Sequence, residues 1–432
     1  MSRFVGSIPA LAAAAGFAWA PAAQAQANPE AGAVAWIASY TGEAAANVSG
    51  GLRQGQDYAG QLVLGADVDL GRAAGLAGAT LHVAAVDRHG RNLAQDSIGG
   101  GTSVQEVYGA ENARLGRLTI EQSLFDGRVV VEGGRTVANL SFLSSPLCAN
   151  FQINSACGTP IFAPRTSGFT MWPVSSWGGH VQGWLTPKVD VHAGAYEVNP
   201  SHGGNSDHGL DWSTSGATGV VAPFTLGYTT GSANGALPRT YEVGGWYDNS
   251  DYADPLRDAA GGLAAVSGKP YAVRDGRSGA FARFEQTVTR PDPASQRGLT
   301  LFGVAMTRTS GQPIEDRFLE LGLVQRGTFA GRDGDTVGFV VNRQTFSAAA
   351  LENLRLIRGG AGGSPPADET MMELSYGVQA TRDIRVQPNL AYIVNPDPFT
   401  QPGQLRNAPN ALVVGLRLDV NLADLTTHAR TN

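Results

Sequence analysis

The chain has 432 residues, 57 of them glycine, with 16% charged side chains and a formal net charge of -6. Glycine is therefore nearly twice its usual ~7%, and charge falls well below the usual ~25%. Beyond the N-terminus no apolar run reaches the roughly 18 residues of a membrane helix. The charge is also wrong for a basic nucleic-acid binder, which leaves a large, glycine-rich, β-leaning chain.

Residues 1–25 read as a secretory signal. Arg3 is the only charge before Glu30, Ile8 to Ala20 is apolar, and Ala23-Gln24-Ala25 is a small-x-small cleavage site, with Ala27 as a second cleavage point. From 26 to 422 one texture repeats: apolar residues alternate with polar or small ones, and Gly, Pro, Asn and Asp clusters punctuate them. In Gln61 to Leu70, residues Leu62, Leu64, Ala66, Val68 and Leu70 share one face, and Val63, Gly65, Asp67 and Asp69 the other. Such a period of two predicts strands with two different environments. Cys148 and Cys157 follow in a Ser-, Pro- and Asn-rich stretch; in an oxidising compartment they are expected to staple a small loop as a disulfide. The period returns in Lys188 to Ala195, in Arg385 to Val394, and in Val414, Leu416, Leu418 and Val420 set against Gly415, Arg417 and Asp419. Long loops are expected at Ser144–Trp177, Pro200–Ala217, Asp248–Ser278 and Arg358–Glu369, where Gly, Pro, Ser and Asp concentrate.

Export, segment length and the small or polar second face favour a membrane barrel over a soluble sandwich. Membrane strands run to about 9–11 residues, whereas sandwich strands are usually about five or six. In a barrel the apolar face meets lipid and the polar face a wet lumen, where a basic residue escapes the roughly 2–4 kcal/mol it costs at mid-bilayer. Parity therefore turns Asp67, Asp69, Arg417 and Asp419 inward. Tyr40, Tyr58, Tyr108, Trp184, Tyr196, Tyr228, Trp246, Tyr247, Tyr376 and Tyr392 lie near strand ends, as girdle aromatics or as ordinary core.

The order of several motifs resembles the carbohydrate-selective, OprB-like porins of Gram-negative outer membranes. They are Tyr40-Thr-Gly-Glu43, Gly50-Gly51, Asp67-Val-Asp-Leu70, Gln105-Glu-Val-Tyr-Gly109, Glu121-Gln122, Gly134-Arg135, Trp177-Gly-Gly179, Tyr196-Glu-Val-Asn-Pro200, Glu373-Leu-Ser-Tyr376, Val386 to Pro396, and Val414-Gly-Leu-Arg417. The resemblance implies an all-β protein, a 16-stranded antiparallel transmembrane barrel with long extracellular loops and short periplasmic turns. It implies passive diffusion of small sugars through a charged eyelet, placement in the outer membrane by the barrel-assembly machinery, lipid as surroundings, and a monomeric pore. No enzyme activity, cofactor, metal or nucleic-acid partner is expected. One departure is the tail: residues 423–432 form a polar extension where such barrels usually end in an aromatic residue.

For the eyelet, parity places Asp67, Glu121, Glu242, Arg283 and Arg417 on polar faces. Arg135 joins them if a bulge at Gly133-Gly134 brings it to the same side as Glu132. Other motifs carry less. His202, Asp207 and His208 share a loop but lack a fourth ligand, and Gly99-Gly-Gly-Thr102 lacks the lysine of a phosphate loop. The triplets beginning at Asn47 and Asn139 match a glycosylation pattern, but the family resembled is bacterial and both are read as chance matches. Two other readings stay open: a general or organic-acid or alcohol porin on the same barrel, and a secreted soluble carbohydrate-binding or glycoside-cleaving β-protein.

Overall fold

A computed structural model describes residues 32–156, 160–232, 236–291, 295–359 and 363–423. The signal segment, Cys157 and with it the expected disulfide, and residues 424–432 of the tail lie outside the described residues.

The strands are β1 (Val34–Ser49), β2 (Gly55–Asp69), β3 (Ala79–Gly90), β4 (Ala113–Leu124), β5 (Val129–Thr136), β6 (Ser176–Thr186), β7 (Val189–Val198), β8 (Gly219–Thr230) and β9 (Arg239–Asp248), then β10 (Tyr252–Asp258) and β11 (Tyr271–Arg274), then β12 (Arg277–Thr289), β13 (Gly298–Ser310), β14 (Glu315–Arg326), β15 (Thr336–Phe346), β16 (Asp368–Gln379), β17 (Ile384–Val394) and β18 (Ala411–Asn421). Sixteen of them close one antiparallel barrel in chain order, β10 and β11 forming a separate hairpin. Closure comes from β1 against β18, with Glu43 opposite Arg417. A closed barrel leaves no strand edge unpaired, which is the condition for backbone to cross lipid.

Alternation in sequence becomes inside and outside. On β18 the outward Val414, Leu416 and Leu418 are exposed, while the inward Val413 and Arg417 are buried. On β2 the outward Leu64 is 49% exposed and its inward neighbour Val63 only 4%. Ile120, Phe224, Val243, Leu321 and Leu374 continue the exposed apolar band around the wall, the surface lipid requires.

The connections sort by length. Loops 91–112, 137–175, 199–218, 249–276, 347–367 and 395–410 leave one end of the barrel, and turns such as 125–128, 187–188 and 380–383 leave the other. Loops 91–112 and 395–410 had no counterpart among the expected long loops. The loop expected at Asp248–Ser278 carries the β10–β11 hairpin, and that at Arg358–Glu369 is preceded by a helix, Ala348–Ile357.

Two expectations need correction. Pairing of β5 with β4 and β6 runs unshifted through Gly133 and Gly134, so no bulge lies there. Arg135 consequently stays opposite Leu118 and Trp177 on the outward parity. Gly134 serves a different need: its φ is +143°, and a Cβ there would lie 2.3 Å from the Leu118 carbonyl oxygen. The bulge of this region is on β4, where Leu115 and Arg117 pair with successive residues of β3 and Gly116 is left over. Among the aromatics, Tyr58, Tyr247 and Tyr392 are exposed, but Tyr196 and Trp246 are fully buried inside the barrel, beneath loop 137–175.

Candidate functional site: the pore constriction

Loop 137–175 folds into the lumen because it is apolar on the sides that touch the wall. Phe142, Phe162 and Phe169 pack with Tyr196, Trp246, Phe281 and Phe318 on one side. Phe151 and Ile153 pack with Phe302, Val340 and Met371 on the other, joined by Leu93, Ile98 and Val104 of loop 91–112. Each fully buried phenylalanine contributes about 1.5–3 kcal/mol, which offsets a closure entropy that rises only slowly with loop length.

Polar pins fix where the loops stop. The Glu373 carboxylate accepts hydrogen bonds from the backbone N–H groups of Gln152, at 2.9 and 3.0 Å, and of Ile153, at 2.8 Å. Asp248 accepts from Gly168 N–H at 2.6 Å and from Arg277 at 2.7 Å. Arg165 reaches Glu315 at 2.8 Å and also pairs with Asp397 of loop 395–410. Burial alone would lower the Arg165 pKa; Asp397 and Glu315 outweigh it and hold the guanidinium above its ordinary value. Glu315, Glu373, Asp248 and Asp397 are all inaccessible to solvent, so these carboxylates are anchors and not part of the solute path.

Between the wall and the two inner loops lies a cavity of about 450 Å³, within the roughly 300–1,000 Å³ typical of small-molecule sites. Thr41, Gln61, Arg88 and Arg417 line it from the wall, Glu106 and Tyr108 from loop 91–112, and Asn154 and Trp172 from loop 137–175. The Arg88 Nε donates to Gln61 Oε1 at 2.8 Å, and its Nη1 to the Gly109 carbonyl at 3.2 Å. Trp172 Nε1 donates to the same Gln61 oxygen at 3.1 Å. Arg417 Nη1 donates to Glu43 at 2.9 Å, Glu106 at 2.6 Å and the Phe151 carbonyl at 3.2 Å, while its Nε donates to Asp419. These bonds leave Nη2 of both arginines without a protein acceptor among the described residues. The Glu106 side chain is 42% exposed. Burial, with Glu111 beside it, raises the Tyr108 pKa, keeping its hydroxyl protonated and able to donate.

Gly116 explains where Trp172 sits, since a Cβ there would lie 2.6 Å from two atoms of the indole ring. Gly116→Val is expected to push the ring off the wall, with a stability loss of about 1–3 kcal/mol from overpacking and a shift in tryptophan fluorescence. An unchanged emission spectrum would show that the ring is not held by this contact.

The sequence-derived eyelet residues divide sharply. Arg417 lines the cavity; Asp67, Glu121, Arg135, Glu242 and Arg283 are not among its lining residues. Asp67 and Glu121 flank His82, at 2.6 and 3.8 Å. Glu242 and Arg283 stand directly opposite each other and form an ion pair on the lumen wall. Arg135 is buried at the rim, donating to the Ser175 carbonyl at 2.6 Å, with its guanidinium 5.9 Å from the Trp177 ring centre. Gln61, Arg88, Glu106, Tyr108 and Trp172 were missed. The signal for two of them was present in Gln105-Glu-Val-Tyr-Gly109, a motif of the family resemblance. His202, Asp207 and His208 are not brought together as a ligand set: among the described residues no three His, Cys, Asp or Glu side chains are placed to hold a metal ion. His202 instead bonds Asp207 at 2.7 Å.

A closed sixteen-stranded barrel, apolar outside and narrowed by an inward loop at a charged cavity, is a porin. The model of the carbohydrate-selective porin, OprB family, matches residues 53–422, and the chain belongs to that family. It is similar to Porin B of Pseudomonas aeruginosa, 31% identical over 396 residues that cover 88% of this chain and 85% of that protein. The putative porin QuiX of Acinetobacter baylyi is 28% identical over 414 residues, 89% of this chain and 88% of that one. Among solved structures, the high-pH form of Pseudomonas putida OprB superposes with a TM-score of 0.81 at 30% identity, over 90% of this chain and 94% of that one. The chain is thus an outer-membrane porin for carbohydrates.

Proposed function

We propose that small neutral sugars cross this barrel by passive diffusion and are sorted at the cavity lined by Arg88, Arg417, Glu106, Gln61, Tyr108 and Trp172. The observation that carries this reading is the meeting, in one cavity, of two guanidinium groups with unused donors and a partly exposed carboxylate. A sugar hydroxyl both donates and accepts, so it can bridge Nη2 of an arginine and an oxygen of Glu106. The Trp172 indole offers an apolar surface for the C–H face of the ring. A neutral solute leaves the local charge balance as it was, and its few hydrogen bonds hold it loosely enough to be released. Nothing in this chemistry calls for a catalytic step.

In planar bilayers, glucose is expected to reduce the ion current of the wild-type channel in a saturable way. Arg88→Met should weaken that block by about tenfold or more, since hydrogen bonds to charged groups contribute about 1.5–3 kcal/mol. Equal block in both proteins would remove Arg88 from the sugar site. Block by a small organic anion but not by glucose would favour an organic-acid porin instead.

A further inference from the structure

We propose that Glu43, which touches no solute, is the positioning residue of the constriction: one buried carboxylate sets both Arg417 and the loop segment that carries Glu106. This rests on the reading of the cavity as the sugar-sorting site.

Glu43 stands on the inward face of β1 and is inaccessible to solvent. Its two oxygens are divided between two tasks. Oε1 accepts from Arg417 Nη1 at 2.9 Å, and Oε2 accepts from the Val107 backbone N–H at 3.0 Å. The Glu43 carbonyl also accepts from the Gln105 side chain at 3.1 Å. Residues 105 and 107 are therefore both fastened to the same wall position, and Glu106 between them is turned toward the cavity. There its carboxylate meets the Arg417 nitrogen that Glu43 also holds, at 2.6 Å.

The arrangement is a triangle with Glu43 at the buried corner and Arg417 and Glu106 at the two corners that line the cavity. Glu43 is opposite Arg417 in the β1–β18 register, so its grip on the guanidinium uses the backbone ladder as a rigid base. Such buried, hydrogen-bonded support is what holds a binding group within a fraction of an ångström of its working place. Three carboxylates (Glu43, Glu106 and Asp419) surround Arg417. The spacing of positive and negative groups that a sugar meets thus depends on how Glu43 divides its two oxygens.

Glu43→Gln is nearly isosteric and separates the two tasks. Its amide oxygen can still accept from Val107 N–H, but its NH2 group then faces a donor on Arg417 and repels it. The test is a cycle of Glu43→Gln, Glu106→Gln and the double variant, each checked for folding by heat-modifiable gel migration and titrated with glucose in planar bilayers. Glu43→Gln is expected to weaken glucose block about tenfold and to have little further effect in the Glu106→Gln background, because contacting groups that act as one unit are not additive. Equal, additive losses in the two backgrounds would reduce Glu43 to a structural residue and overturn the proposal. Unchanged block in Glu43→Gln, with Glu106→Gln impaired, would overturn it while leaving the constriction intact. Unchanged block in Glu106→Gln as well would remove the constriction reading and the proposal with it. Glu43→Asp, which keeps the charge but cannot reach both partners, gives the same readout should the glutamine variant not fold; wild-type block there would likewise overturn the proposal.

Discussion

Arg417→Gln is expected to abolish saturable glucose block and to make the channel more cation-selective. Arg417 bonds the wall at Glu43, loop 91–112 at Glu106 and loop 137–175 at the Phe151 carbonyl. Its loss removes a donor from the cavity and frees both loops at once. It also leaves Glu43 buried without its counter-charge, a loss of about 3–5 kcal/mol when one partner of such a pair is removed. The double variant Glu43→Gln/Arg417→Gln should recover much of the thermal stability of the barrel and none of the glucose block. Reversal potentials in a salt gradient, with heat-modifiable migration on the same samples, check both halves. Normal glucose block in the folded single variant would remove Arg417 from the site.

The largest effect on stability is expected at Arg165→Met. Arg165 lies on the short helix Phe162–Thr166 of the inner loop and is the cation shared by Glu315 and Asp397, both inaccessible to solvent. Without it two buried carboxylates face each other uncompensated, again about 3–5 kcal/mol. The affected contacts tie loop 137–175 to loop 395–410 at Asp397 and to Glu315 at the first residue of β14; they run through side chains and use no backbone bond of the sixteen-strand ladder. The barrel should therefore still assemble, with larger and noisier conductance as the inner loop leaves its seat. Adding Glu315→Gln should return part of the stability by removing one of the stranded charges. Single-channel recording and the temperature at which the barrel unfolds in detergent report the two effects. Wild-type conductance in Arg165→Met would show that this ion pair does not hold the loop.

How far the site could be read from sequence depends on which physical quantity decided each residue's place. The wall was legible. Val414, Leu416 and Leu418 against Gly415 and Arg417 give the two faces of β18, and the membrane-barrel reading, from export, segment length and the small or polar second face, says which of them meets lipid. Parity also turned Asp67, Glu242 and Arg283 inward, and they do stand on the lumen wall. Parity does not say which inward charge is already matched across strands. Glu242 and Arg283 neutralise each other because β9 and β12 bring them opposite, and that register is set by turns and closure far from either residue. Arg88 has the same local signature as Arg283, but its neighbour across the strand is the neutral Gln61, so its charge remains available to the cavity.

The loop residues were harder for a different reason. Glu106 and Trp172 owe their positions to apolar anchors such as Leu93, Val104, Phe151 and Phe169, which look like ordinary hydrophobic residues in sequence. Only the folded lumen shows that they pull the loops inward. Arg135 was misplaced because adjacent glycines suggest a bulge, when Gly134 relieves a close cross-strand approach and the extra residue of this region is Gly116.

The central claim is that sugars are sorted by chemistry at the constriction and not by size alone. Solute-dependent swelling of liposomes containing the detergent-purified barrel tests it most directly, comparing glucose with an uncharged non-sugar of matched size and a small organic anion. Faster entry of glucose than of the matched non-sugar, an advantage lost in Arg88→Met, is the predicted result. Entry ranked by size alone, identical in the wild type and the variant, would contradict it.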